Sequence, residues 1–398
     1  MPPTATHHVT VPASRRPPAP GGGPVPGREN RLFRALTRAA PALLGYVAVR
    51  LTGLLVLAHW SHLKGQTLWP ALATSWDSEW YLGIADHGYE HRLGTAMESN
   101  NLAFFPLYPM LVKAVAGVTP GSRASVALAL AIGSSLVAAW GIFAVGERLH
   151  GWRTGTVAAV LWGAMPVAVV QWMGYTESLF TAFVAWALYA VLTGRWLWAG
   201  WLATLAGLTR PTGIAIAAAV TLAGLVALVR TRELRPLAGA LIAPLGWCGY
   251  VTWVALRLGR WDGYFAVQER WKNAWDGGRL TLEELTKQLA YRPHPQLLMV
   301  VVSVVLLVST GLYLLCLTDR QPLVLLVFTG VLLLIVLGSG GVYFPRARFL
   351  LPAFPLLLPV AAGVARARRP VALLVLGGAV LSSAWLGGHL LLVWQGPP

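Results

Sequence analysis

Charge is scarce in this chain. Only 12% of its 398 residues are Asp, Glu, Lys or Arg, against roughly 25% in an average soluble domain. That shortfall excludes water as the main solvent. Acids are the scarcer sign, 15 against 31 Lys and Arg. Cysteine is nearly missing: Cys248 and Cys316 both fall in apolar runs, which excludes a disulfide framework and leaves two small buried side chains. No internal repeat of the kind that marks many transporters is visible. No short apolar core with a cleavage site lies near the start, so no cleaved signal peptide is expected. The net charge of +16 does not indicate nucleic acid, because the basic residues are scattered at helix ends and not clustered on one soluble face.

Apolar residues are what the chain has, at 56%. Several runs approach the ~20 residues that cross a bilayer core. They do not alternate as the strands of a membrane barrel do. The expectation is an all-α, multi-pass membrane protein. Spans are expected at 40–60, 124–146, 154–173, 177–193, 196–209, 212–229, 236–256, 296–317, 322–339, 348–364 and 371–393, about eleven in all. Residues 1–39, rich in Pro, Gly, Ala and Arg, should form a disordered basic tail ahead of a membrane domain at 40–398. Two long loops, 61–123 and 257–295, should lie on the same side. Within the first, "LAFFPLYPMLVKAVAGV" (102–118) carries two prolines and a lysine, and reads as an interfacial or re-entrant helix.

Lys and Arg set the orientation. With the N-terminus inside, the inner segments sum to about +12 and most acids fall outside, a strong positive-inside bias. The first loop then faces outward. It holds the densest acidic stretch, "TSWDSEWYLGIADHGYEHR" (74–92). Three other outer turns carry charge: "GYTES" with Glu177, "GLTRPTG" with Arg210, and "GGVYFPRARFL" with Arg346 and Arg348. Ionisable groups at span ends are functional candidates, although arginines there also anchor to headgroups and Glu177 also suits a helix N-terminus. Asp86, His87, Glu90 and His91 could share a metal on one helical face or stand solvated in a loop. Trp76, Trp80 and Tyr81 suit an interfacial belt and a sugar platform alike. Arg50, inside the first span, has no evident place.

Acids and arginines together at an outer membrane face suit glycosyl transfer from a lipid-linked sugar phosphate. A carboxylate takes the proton of the acceptor hydroxyl, and arginines hold the departing phosphate with bidentate hydrogen bonds. There is no Gly-rich phosphate loop and no cytoplasmic domain for a nucleotide sugar. The rival is a transporter or flippase, which needs charge near the bilayer midplane; the acids avoid the span centres.

"WDSEWYLGIADHGY", "FFPLYP", "YTESLF" and "LTRPTG", in this order and spacing, resemble the PIG-V-type mannosyltransferases, over roughly residues 40–365. The resemblance implies a GT-C fold and an inverting transfer of mannose from dolichyl or polyprenyl phosphate mannose; the charge bias puts the site on the outer side, and the plasma membrane is the expected location. The acceptor stays open: a glycan, a glycolipid or a protein. In GT-C enzymes the first outer loop carries an acidic pair; Asp77-Ser78-Glu79 matches it, with Asp77 in the catalytic role. Glu177 and Arg210 carry over as site residues. No cofactor is expected, and a divalent metal at the acidic pair is left open. A cysteine in place of Ser78 should react with an impermeant thiol reagent in intact cells. Labelling only after permeabilisation would reverse the orientation.

Overall fold

The computed structural model describes residues 28–94 and 100–397, with side chains from Phe33 onward. Helices run in the order α1 (Arg28–Leu63), α2 (Leu68–Ala73), α3 (Asp77–His87), α4 (Leu107–Ala116), α5 (Arg123–His150) and α6 (Trp152–Gly163). Then come α7 (Glu177–Leu192), α8 (Trp196–Gly207), α9 (Gly213–Thr231), α10 (Leu234–Ile242), α11 (Leu245–Leu258) and α12 (Gly263–Arg270). The chain ends with α13 (Arg279–Thr286), α14 (Leu297–Thr318), α15 (Leu323–Gly338), α16 (Arg346–Phe349), α17 (Leu358–Arg366) and α18 (Arg369–Leu392). There is no strand among the described residues. Residues 28–38 and those from Ala39 onward fall in separate units, and the candidate site lies within the second.

The all-helical membrane architecture is as expected. Among the described residues, six helices are long and apolar enough to cross a bilayer: 33–63, 123–150, 213–231, 234–258, 297–318 and 369–392. The other expected spans are shorter or broken. The run at 154–173 is helical only to Gly163, then turns through 3-10 backbone at Ala168–Trp172. The run at 348–364 is split into α16, a 3-10 turn at Phe354–Leu357, and α17. Non-helical backbone at such depth is tolerated where protein buries it, and residues 167–171 are all buried. The first helix starts at Arg28, inside the stretch expected to lack structure; residues 1–27 lie outside the described ones.

Helices α5, α6 and α7 pack together, and α8, α9 and α10 form a second group that meets α15 and α7. Small residues let backbones approach where no hydrophobic force pulls helices together. At the α5–α6 crossing a β-carbon on Gly155 would lie 2.5 Å from the Phe143 carbonyl oxygen and 2.8 Å from the Glu147 nitrogen.

Arg50 now has a place. It is buried, donates from Nη1 to the Gly163 carbonyl at 3.1 Å, and sits over the Trp172 ring at 5.9 Å. A cation suits the carbonyls left open at the end of α6. It therefore braces the break between α6 and the turn leading to α7.

Gly155→Ala should cost about 1–3 kcal/mol through backbone displacement. Thermal unfolding of the purified protein in nanodiscs checks this; an unchanged midpoint would mean that the two helices do not approach so closely.

Candidate active site

Asp77 opens α3, where a carboxylate suits the helix dipole. The chain enters through Trp76 at φ 53° and ψ −115°, a conformation rare for a bulky residue and of the kind stored at functional sites. Helical spacing then separates the acidic pair. Asp77 and Tyr81, four apart, share a face, whereas Glu79 is thrown outward and is exposed. Ser78 is fully buried and donates to the Gly174 carbonyl at 3.2 Å, so α3 is fastened to the turn before α7.

That turn delivers Glu177 as the first residue of α7, 1% exposed. Arg210 stands in the break between α8 and α9, where Pro211 ends helical hydrogen bonding. Its Nη1 lies 2.7 Å from Glu177 Oε1 and donates to Thr176 Oγ1 at 2.8 Å. Arg348, from α16, donates from Nη2 to Asp77 Oδ2 at 2.6 Å, and its Nε stands 3.8 Å from Glu177 Oε1. The Phe349 ring lies 5.5 Å from the guanidinium carbon of Arg210 and 5.4 Å from that of Arg348. The result is one chain of alternating charge, Asp77–Arg348–Glu177–Arg210, drawn from four separate stretches of sequence and neutral in sum.

Asp77, Tyr81, Arg210 and Arg348 line a cavity of about 240 Å³. Glu177 does not line it; it holds the two arginines from behind. Arg348 keeps Nε and Nη1 without hydrogen-bond partners. Both atoms are enclosed, and Nε faces the Glu177 carboxylate. A larger groove of about 700 Å³ beside α5 and α7 is lined by apolar and small polar side chains, among them Leu130, Val137, Phe183 and Trp186. It offers no ionisable group for acid–base work.

Not every candidate joins. Arg346 is two residues from Arg348 but points elsewhere: it donates to Thr281 Oγ1 and the Ser339 carbonyl, and its guanidinium carbon lies 5.1 Å from the Tyr343 ring. It ties α13 to the turn that presents Arg348. Residues two apart on a helical turn face different ways, which their shared charge conceals. Trp76 packs against the main core. Trp80 stacks on Phe104 at 5.5 Å, behind the cavity wall that Phe104 forms.

Asp86 pairs with Arg123, and His91 lies 3.1 Å from Arg257 Nη2. No three His, Cys, Asp or Glu groups come together for a metal among the described residues.

Tyr175 was missed. It is fully buried, and its ring lies 5.2 Å from the Arg348 guanidinium carbon. Burial pushes its hydroxyl well above the usual tyrosine range, so it stays neutral. Its one signal was position, two residues before Glu177. Gln268, Trp271 and Asn273 also line the cavity and were missed; amides and an indole in a long loop carry no pattern of their own.

Because Ser78 is buried, Glu79 is the better place for a cysteine reporter of sidedness. Glu177→Gln leaves two buried arginines short of charge and should destabilise the fold by about 3–5 kcal/mol. Unfolding in nanodiscs measures it; a loss within ~0.5 kcal/mol, the range of an ordinary surface change, would mean that Glu177 does not anchor them.

A family profile described as Mannosyltransferase (PIG-V) matches residues 58–256, half of the chain. GPI alpha-1,6-mannosyltransferase 2 of Rattus norvegicus is 29% identical over 150 residues, covering 35% of this chain and 29% of the rat protein. The oligosaccharyltransferase AglB of Archaeoglobus fulgidus, solved with an inhibitory peptide and a dolichol-phosphate, superposes with a TM-score of 0.52 at 14% identity. That alignment covers 92% of this chain and 57% of AglB, so the chain spans well under two thirds of either protein. The likeness to AglB places the fold in the GT-C class, and the profile match settles the family: the chain belongs to the PIG-V mannosyltransferases.

Proposed function

We propose that this protein transfers mannose from polyprenyl phosphate mannose to an acceptor hydroxyl outside the cytoplasm, with inversion at the anomeric carbon. The observation that carries the reading is the meeting of Asp77 and two arginines on one cavity, with Arg348 bonded to Asp77. The family membership and the fold shared with a protein that was solved with dolichol-phosphate agree with a lipid-linked donor.

Asp77 accepts the proton from the acceptor hydroxyl. That oxygen attacks the anomeric carbon from the face opposite the phosphate. A new carbon–oxygen bond forms as the bond to the phosphate oxygen breaks, and its electron pair leaves with the phosphate. Arg210 and Arg348 stabilise the charge that develops there, through donors fixed before the reaction begins. Arg348 serves both ends: Nη2 orients the base while the positive charge of its guanidinium, at the cavity wall, faces the leaving group. Good phosphate stabilisation reduces the need for a general acid. Glu79, on the exposed face of α3, orients no group at this cavity. No metal is required by this scheme. The protein is read as a multi-pass component of the cell membrane, its N-terminus cytoplasmic and its cavity open to the outer side, where a glycan, glycolipid or protein can arrive.

Membranes incubated with radiolabelled polyprenyl phosphate mannose should yield a labelled product. Asp77→Asn should lower turnover by about 10² or more with normal expression, whereas Glu79→Gln should stay within about threefold. Near-normal turnover in Asp77→Asn would remove Asp77 as base. Equal losses in both variants would point to a shared metal site instead.

A further inference from the structure

The segment that follows α18 returns to the site. Pro397, beyond the end of that helix at Leu392, lines the same cavity as Asp77, Phe344 and Arg348. With its ring in place the Asp77 side chain is 19% exposed and that of Arg348 6%. A proline has no N–H to offer the carboxylate and no charge to set against the arginines. It covers charged groups without pairing with them.

The root of this segment is firm. Lys64 Nζ donates to the Leu392 carbonyl at 3.0 Å, and the backbone nitrogens of Val393 and Trp394 donate to the His389 carbonyl at 3.0 and 2.9 Å. The tip is held more lightly. Among the described residues, the one hydrogen bond that reaches 395–397 comes from Trp394 Nε1, which donates to the Pro397 carbonyl at 3.3 Å. The same indole ties the tip to the bundle: its ring lies 5.8 Å from that of Phe344 and packs against the main core. One side chain thus acts as a latch. Backbone with few hydrogen bonds and little burial opens locally at small cost. There is room for this, because residues 393–396, with Gln296, Leu297 and His389, border a second space of about 430 Å³. The segment stands between two cavities: Pro397 borders one and its neighbours the other.

Transfer from a sugar phosphate needs water kept out. Water that reached the base would give its proton to Asp77 and its oxygen to the anomeric carbon, as the phosphate left with the bonding pair. The donor would be hydrolysed to mannose and polyprenyl phosphate, with the acceptor untouched. Elements that close over an active site prevent such side reactions, and they open again for exchange.

We propose that residues 394–397 are a strap: latched by Trp394, it screens Asp77 and Arg348 from water during transfer, and it swings into the adjoining space to open the cavity. The inference rests on the transfer reading above. The test uses full-length protein in nanodiscs. Val342 lines the cavity, so Val342→Cys in a Cys248→Ser background puts a reporter thiol there, with buried Cys316 the other thiol left. Two variants release the latch. Trp394→Ala removes the indole. Gly396→Val keeps it, but a β-carbon at 396 would lie 3.0 Å from Trp394 Nε1 and push the tip off the ring; it answers the question even where Trp394→Ala fails to fold. The rate of reaction with an impermeant thiol reagent, and the yields of free mannose and of mannosylated acceptor, are measured on the same samples. Both variants should label about tenfold faster, the scale of one aromatic pair and one hydrogen bond, and free mannose should rise relative to transfer by a similar factor. Unchanged labelling overturns the strap, whatever happens to transfer. Faster labelling with an unchanged share of free mannose overturns it as well, since the site would then need no screen. Faster labelling of a protein whose unaltered form neither transfers nor hydrolyses the donor upholds the opening of the strap and removes the transfer reading instead.

Discussion

The alternating charge chain Asp77–Arg348–Glu177–Arg210 is the constraint on which the rest of the site depends. Charges this far from water are costly unless paired. Glu177 is the pivot: at 1% exposed it is too enclosed to meet a substrate, yet both guanidiniums lean on it. Its place at the start of α7 lets one carboxylate fix cations from the α8–α9 break and from α16 at the same time. Asp77, at the cavity, is held by the outer end of the same chain.

The breaks in the helices follow from this arrangement. Arg210 reaches Glu177 because Pro211 stops α8 and α9 from running on as one helix. Arg348 reaches Asp77 because the chain after α15 turns through Tyr343–Pro345 and does not continue as a span. That turn needs its own brace. Arg346 supplies it by binding Thr281 and the Ser339 carbonyl, and residue 275, in the long stretch between α12 and α13, forms a bridge with residue 339. Two neighbouring arginines thus divide the work: one holds the turn, the other lines the cavity and holds Asp77. Arg50 plays a comparable supporting part deeper in the bundle, at the open end of α6.

Much of this was legible in the sequence. Apolar runs of the right length marked the helices, and the scarcity of acids made Asp77 and Glu177 stand out. The Arg-Pro step at 210–211 announced a break with a charge in it. Other parts were hidden for physical reasons. Arg346 and Arg348 look equivalent as letters; the turn they sit on sends them to different neighbours. Asp77 and Glu79 read as one acidic motif, but the first turn of α3 directs one inward and the other to the surface. Tyr175 gave no sign, because its burial against Arg348 depends on contacts far apart in sequence. The run at 154–173 read as one span, since composition records apolarity and not the 3-10 turn that Arg50 and the buried surroundings make tolerable. Gln268 and Asn273 reach the cavity only through the placing of α12 and the residues just after it.

The central claim is that Arg348 joins base and leaving group through one side chain. A double-mutant cycle on mannose transfer tests it most directly, with Asp77→Asn, Arg348→Gln and the pair combined. Groups that act as a unit are far from additive. The combined variant should therefore turn over about as slowly as the worse single variant, within about threefold. Losses that multiply, so that the double variant falls by the product of the two single effects, would mean that Asp77 and Arg348 act independently, and would contradict the account.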